Sequence, residues 1–216
     1  MEVTNFSLFP TRLVTIQFPN TNKLNDDLYE LFQRRDEFGG SFNMHPDAMN
    51  LLKLVETEPA IVQLRDLFLQ GLNQWLSAVT QPRPESAELV MFSNYAKQGE
   101  YTLIHNHNAD LVGIYYARTA DYARPAVQLP GEDDDYFYPG DGVLVLHDPR
   151  FNSNLAATGD HDHVRVHPRP GLMLLFPAYL WHSVSPHVGE FDRLSFSMNF
   201  TLRSSDGSKA VRHRLS

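Results

Sequence analysis

Arg193 to Phe200 reads RLSFSMNF, and its alternation is strict: Leu194, Phe196, Met198 and Phe200 fall on one face, Arg193, Ser195, Ser197 and Asn199 on the other. Side chains two apart on an extended chain point the same way, so this is a strand with one apolar side. The ordinary place for the polar side is solvent. In a small barrel with a ligand cavity it points inward instead, and Arg193 then offers its planar fork to a carboxylate.

The neighbouring sequence favours a barrel or sandwich. From about Glu88 onward, short β-rich runs recur at Leu89 to Tyr95, Tyr101 to His107, Leu111 to Ala117 and Val143 to His147. They continue at Val164 to His167, Leu172 to Phe176, Leu180 to Val184 and Leu194 to Leu202. Breaks such as YPGDG and HPRPG are turn chemistry. About eight short strands with few helices between them point to a sandwich, jelly roll or barrel rather than a parallel α/β sheet.

The first ninety or so residues have a different texture. Leu13 to Phe18 is a short strand candidate, and Leu24 to Phe38 carries Leu24, Leu28, Leu31 and Phe32 at helical spacing. Pro59 suits a first helical position. After it, Ile61, Leu64, Phe68, Leu72, Trp75, Leu76 and Val79 form one packing stripe, stopped by Gln81-Pro82. With no internal repeat and no long linker, the expectation is one domain over 1–216. It comprises an N-terminal helical and strand extension at 1–88, a β core at 89–203 and a polar tail at 204–216. GEDDD at 131–135 reads as a solvated acidic loop.

Composition narrows the function classes. The chain has 216 residues, a formal net charge of -8, no cysteine and ten histidines. That length allows burial of roughly 70% of the unfolded chain's surface in one core without staples. Disulfides and thiolate metal sites are excluded. With 18 basic against 26 acidic residues, a surface that coats nucleic acid is not expected. The first twenty residues lack a basic start followed by an apolar stretch, and no run approaches the ~18 apolar residues of a membrane span. The expectation is a soluble, cytoplasmic protein.

The histidines are the candidate chemistry. In YTLIHNH, His105 and His107 stand two apart, so on a strand both imidazoles converge on one point and can offer two nitrogens to a metal. Two half-exposed histidines without a ligand role would read the same way. His182, in FPAYLWHSV, has apolar and aromatic flanks that bury it, and a buried imidazole needs partners for its ring nitrogens. It could equally be a satisfied core histidine. His161, His163 and His167 in HDHVRVH read with Arg165 as the wet face of an edge strand, and His45, His147, His187 and His213 have no constellation around them. Tyr115 and Tyr116 occupy opposite faces of one strand, so only one can reach a cavity.

Taken together, Asn94, Gly99, His105 and His107 in the spacing N-x4-G-x5-H-x-H, followed by a distant His182 and by Arg193 and Ser195 as R-x-S, resemble the iron(II) and 2-oxoglutarate-dependent oxygenases. The resemblance is closest to a bacterial and phage branch with blocks similar to NYAKQGEYTLIHNHNADLVGIYY, GDGVLVLHDPR and GLMLLFPAYLWHSVSPHVGEFDRLSFSMNF, and it covers most of residues 92–202. It implies a double-stranded β-helix, a jelly roll with the N-terminal helices packed on one sheet. It also implies iron(II) held by His105, His107 and His182.

Most of that superfamily has a carboxylate where His107 stands, giving two histidines and one carboxylate with three open sites on the iron. The branch reads H-x-H, which leaves three imidazoles here and suits zinc or nickel as well as iron. Asp110, three residues on, is the competing third ligand. The resemblance further implies 2-oxoglutarate as cosubstrate, with its far carboxylate against Arg193 and Ser195 and with Asn94 and Tyr101 as hydrogen-bonding candidates. The expected reaction is hydroxylation of a C–H bond in a small-molecule or peptide substrate, with succinate as coproduct. Two rivals stay open. One is a three-histidine, cupin-like dioxygenase that uses no 2-oxoglutarate, and the other is a non-catalytic metal-binding jelly roll.

Overall fold

Ten strands in two antiparallel sheets dominate the computed structural model, which describes residues 10–39, 42–43, 48–78, 84–120, 125–129, 140–150 and 162–203. In chain order the elements are β1 (Val14–Gln17), α1 (Asn22–Gln33), α2 (Pro59–Ser77), β2 (Ser86–Ala96), β3 (Thr102–His105) and β4 (Leu111–Arg118). They continue with β5 (Val127–Gln128), β6 (Leu144–His147), β7 (His163–Val166), β8 (Leu172–Pro177), β9 (His182–Val184) and β10 (Arg193–Arg203). The major sheet has the order β1-β8-β4-β10-β2, the minor sheet β3-β9-β6-β7-β5. This is the expected double-stranded β-helix.

The strand read first, β10, lies inside the major sheet between β2 and β4. Both of its edges are therefore paired, and residues on both of its faces are buried. Leu194, Phe196, Met198 and Phe200 join the core under the helices, with Leu28, Leu31, Ile61, Leu64 and Phe68. Ser195 and Ser197 are also buried, on the side that faces the minor sheet. The polar face points inward, into the barrel.

β4 shows why the major sheet needs both layers. Leu111 and Tyr115 pack into the helical core, while Val112, Ile114 and Tyr116 pack into a second core with Leu144, Leu146, Leu174 and Phe176. Strands covered on both sides read as near-continuous apolar runs, as LVGIYYA does. Helix α2 comes close to this sheet where glycine leaves room: a Cβ on Gly113 would lie 2.9 Å from the Phe68 ring, and one on Gly71 2.9 Å from Leu175 and Met173.

Several boundaries differ from the sequence expectation. α1 ends at Gln33, and the rest of the predicted helix is a 3-10 turn, Arg35–Phe38, closed by Gly39 at φ 68°. β9 begins at His182, because Leu180 belongs to the turn that leaves β8. The two-residue strand β5 is too short to show an alternation. Its presence overturns the reading of HDHVRVH as a wet edge: β5 pairs with β7, so β7 lies inside the minor sheet, Arg165 and His167 are buried, and His167 Nε2 pairs with Gln128 Oε1 at 2.6 Å. The readings of His45, His161, His213, the acidic segment 131–135 and the tail 204–216 lie outside the described residues. Among the described residues, no helix is long and apolar enough to cross a membrane.

Candidate active site

Strand pairing assembles the histidines. His105 closes β3 and is the register partner of His182, which opens β9. His107 lies just past the end of β3, where its N–H donates to the Ala178 carbonyl at 3.1 Å, so the turn after β8 holds it in place. One ligand atom from each of the three comes within 4.8 Å of the others. His107 and His182 are buried, while His105 is half-exposed.

The tautomers suit a metal. His105 Nδ1 lies 2.8 Å from the Leu103 carbonyl and His182 Nδ1 3.0 Å from the Leu180 carbonyl. A carbonyl only accepts, so both Nδ1 atoms carry the proton and both Nε2 atoms keep a lone pair. His107 Nε2 lies 3.2 Å from His182 Nε2. Two imidazole ligands at roughly 2.0–2.1 Å from one metal and near right angles would stand about 3 Å apart, so the pair fits a shared cation.

Burial, helped by the neighbouring His105, pushes His107 down to about 4, while the adjacent Asn199 works the other way. Burial likewise lowers His182 to about 3, against a backbone hydrogen bond to Leu180. Both rings are neutral at pH 7, as metal ligation requires. Asn199 Oδ1 and His107 Nδ1 are both buried, and neither has another hydrogen-bond partner among the described residues. Asn199 is nonetheless the side chain placed to orient His107.

Asp110, the competing third ligand, is not part of the histidine cluster and is engaged elsewhere. Its Oδ2 accepts the Leu202 N–H at 2.8 Å, and its backbone bridges Phe200 and Ala178, so the carboxylate is spent on the end of β10.

The three histidines share a small cavity with side chains from both sheets. Asn94, Tyr116, Arg193, Ser195 and Ser197 supply its polar wall, and Ile114, Leu144 and Val184 its apolar wall. Arg193 is only 4% exposed; its Nη1 is 3.5 Å from Ser195 Oγ, and its guanidinium lies 5.5 Å from the centre of the Tyr116 ring. A buried guanidinium in the wall of such a cavity suits a carboxylate in bidentate fashion. Asn94 Nδ2 donates to Ser197 Oγ at 2.8 Å, which ties it to the wall.

Tyr101, the remaining expected contact, stands 61% exposed and does not line the cavity. A register shift between Thr102 and His105 is the reason: it breaks the alternation that would have put Tyr101 on the His105 face, and Thr102 lines the cavity instead. Of the two tyrosines on β4, Tyr116 is the one that reaches the cavity, while Tyr115 donates to Asn25 Oδ1 at 2.7 Å on the helical side. Ser197 was legible as part of the β10 alternation, but Tyr116 could not be told from Tyr115 by spacing.

Fold and site together define a jelly-roll protein in which three converging imidazoles, able to hold a metal ion, share a cavity with a buried arginine. The sequence profile of the family described as "Putative 2OG-Fe(II) oxygenase" matches residues 90–199, just over half of the chain. The chain belongs to this family of 2-oxoglutarate- and iron(II)-dependent oxygenases. A search of curated protein sequences gives no match.

Solved structures agree in fold. Apo HygX from Streptomyces hygroscopicus is similar at 14% identity, over 88% of this chain and 82% of that one, with a TM-score of 0.56. The viral collagen prolyl hydroxylase vCPH from Paramecium Bursaria Chlorella virus-1 is similar at 12% identity, over 93% and 98%, with a TM-score of 0.51. A prolyl 4-hydroxylase structure from Phytophthora capsici is similar at 16% identity, over 94% and 63%, with a TM-score of 0.53.

Proposed function

We propose that His105, His107 and His182 hold the iron(II), and that Arg193 with Ser195 and Tyr116 receives the far carboxylate of 2-oxoglutarate in the hydroxylation of an organic substrate. The observation that carries this reading is the convergence of three imidazoles at the mouth of a cavity whose wall includes a buried guanidinium. HygX, which shares the fold, has been crystallised with iron, and with nickel and 2-oxoglutarate.

Bound iron(II) supplies the oxygen chemistry: one atom of O2 goes to the substrate C–H bond, and the other goes into the succinate formed as 2-oxoglutarate loses carbon dioxide. The chain's own residues do the rest. The Leu103 and Leu180 carbonyls fix two ring tautomers, so two Nε2 lone pairs stay turned inward. Arg193 and Ser195 orient the cosubstrate from its far end, and Tyr116, whose phenol burial pushes up to about 12, stays protonated and able to donate. The apolar wall of Ile114, Leu144 and Val184 would keep water away from a cosubstrate bound there.

The test is anaerobic addition of iron(II) and then 2-oxoglutarate. A weak visible charge-transfer band should appear, and in air slow succinate formation should follow without added substrate. His182→Ala should abolish metal retention, whereas Arg193→Ala should keep the metal and weaken 2-oxoglutarate about ten- to a hundredfold, the worth of one charge-assisted hydrogen bond. Equal metal loss in both variants, or neither band nor succinate in the wild type, would overturn the assignment.

A further inference from the structure

We infer that His187 and Asp141 form a positioning pair that sets Arg193, and so give the site its preference for a 2-oxo acid bearing a second carboxylate. This rests on the reading of Arg193 as the partner of the cosubstrate's far carboxylate.

His187 is 1% exposed and does not line the cavity. Its Nδ1 lies 2.7 Å from Asp141 Oδ1, and its Nε2 meets the Phe191 carbonyl. Both partners are acceptors, and the ring joins two chain segments that are far apart in sequence. Asp141 Oδ1 also takes the Val188 N–H at 2.8 Å.

Each of these segments leads to Arg193. Phe191 precedes it by two residues, so the Nε2 hydrogen bond anchors the entry to β10. Asp141 precedes Gly142, which has φ 59° and packs so close to the arginine that a Cβ there would lie 2.9 Å from both Cδ and Nε of Arg193. The backbone at Gly142 is therefore the surface on which the guanidinium stem rests, and the Tyr116 ring is a second neighbour of the guanidinium.

Backbone bonds complete the frame. Gly142 N–H donates to the Pro186 carbonyl at 3.1 Å, and Ser185 N–H to the Val143 carbonyl at 2.9 Å. The Ser185 hydroxyl donates to the Gly140 carbonyl at 2.5 Å. A buried imidazole–carboxylate pair is weak evidence of a role in stability, since a well-packed apolar replacement often does as well. Its placement at both approaches to Arg193 accounts for it as a device that holds one geometry.

The experiment loads the protein anaerobically with iron(II) and titrates it with 2-oxoglutarate and with 2-oxopentanoate, which has the same chain length and no far carboxylate. The readouts are the charge-transfer band and the iron content. Wild type should favour 2-oxoglutarate by at least about tenfold, the worth of a charge-assisted contact. His187→Leu and Asp141→Asn should lose most of that preference, with 2-oxopentanoate affinity and iron content unchanged. Gly142→Ala, which disturbs the same surface without touching the pair, should do the same, and together with His187→Gln it decides the matter if His187→Leu fails to fold.

A merely structural role would weaken both 2-oxo acids and iron together, and that result would overturn the inference, as would variants that keep the wild-type preference. Equal affinity for the two acids in the wild type would instead remove the reading of Arg193, and this inference with it.

Discussion

His105 and His182 are register partners on the antiparallel strands β3 and β9, and their ring centroids lie 4.2 Å apart. Backbone pairing thus sets two of the three imidazoles before any metal arrives. The third comes from the same neighbourhood: Ala178, in the turn between β8 and β9, accepts the His107 N–H, and Leu180 in that turn accepts from His182 Nδ1. A single turn, residues 178–181, therefore positions two ligands. The site is preorganised by secondary structure, which lowers the ordering cost of binding a cation.

That burial has a consequence for acid stability. His107 and His182 lie at about 4 and about 3 in the folded protein, below their ordinary 6.5, because burial disfavours the charged ring. As pH falls below about 6.5, the unfolded chain takes up protons that the folded chain does not, so stability falls with pH. The loss stops growing only near the folded values. The thermal midpoint of metal-free protein should therefore drop between pH 7 and pH 5, and His182→Leu should flatten part of that slope. Parallel profiles for wild type and variant would contradict the account.

Asp110 should prove structural. Its carboxylate accepts the Leu202 N–H, and it is not part of the histidine cluster. Asp110→Ala should keep a full complement of iron while losing about 1.5–3 kcal/mol of stability, the range for a hydrogen bond to a charged group. Iron content after gel filtration, read beside urea denaturation, checks both halves. Iron loss in a folded variant would return Asp110 to the ligand set.

Gly113 tests the packing of α2 on the major sheet. A methyl at this position would lie 2.9 Å from the Phe68 ring and 3.3 Å from Phe200. Both rings are buried and cannot turn away into solvent. Gly113→Ala should destabilise by about 1–3 kcal/mol, the usual result of overpacking. Chemical denaturation measures it, and an unchanged midpoint would show that the helix can move away from the sheet.

Legibility in the sequence followed the range of the interactions. The two faces of β10 could be read because alternation is local, and the stripe of α2 because helical spacing is local. His105, His107 and His182 could be placed through their spacing and the family resemblance. What escaped depended on a partner distant in the chain or on a break in the alternation. β5 was invisible at two residues, and with it went the burial of His167. Tyr101, a hydrogen-bonding candidate in the sequence, stays in solvent because of a register shift that leaves no mark in composition. His187 showed no constellation because Asp141 lies 46 residues earlier. Gly142 was visible only as a turn residue, and that the Arg193 stem lies against it is a fact of tertiary structure.

Tyr116 separates affinity from stability. Its hydroxyl is buried in the cavity wall with no hydrogen-bond partner among the described residues, and an unsatisfied buried hydroxyl carries a penalty of about 1–3 kcal/mol. Tyr116→Phe removes that penalty and keeps the ring beneath Arg193. Metal-free protein should therefore be as stable as wild type or more so. The same change takes away a donor placed for the cosubstrate's far carboxylate, so 2-oxoglutarate should bind about two- to tenfold more weakly, the net worth of one hydrogen bond. Thermal unfolding without ligand and anaerobic titration of the iron-loaded protein measure the two effects. If affinity and stability fell together, the hydroxyl would have a protein partner and no part in binding.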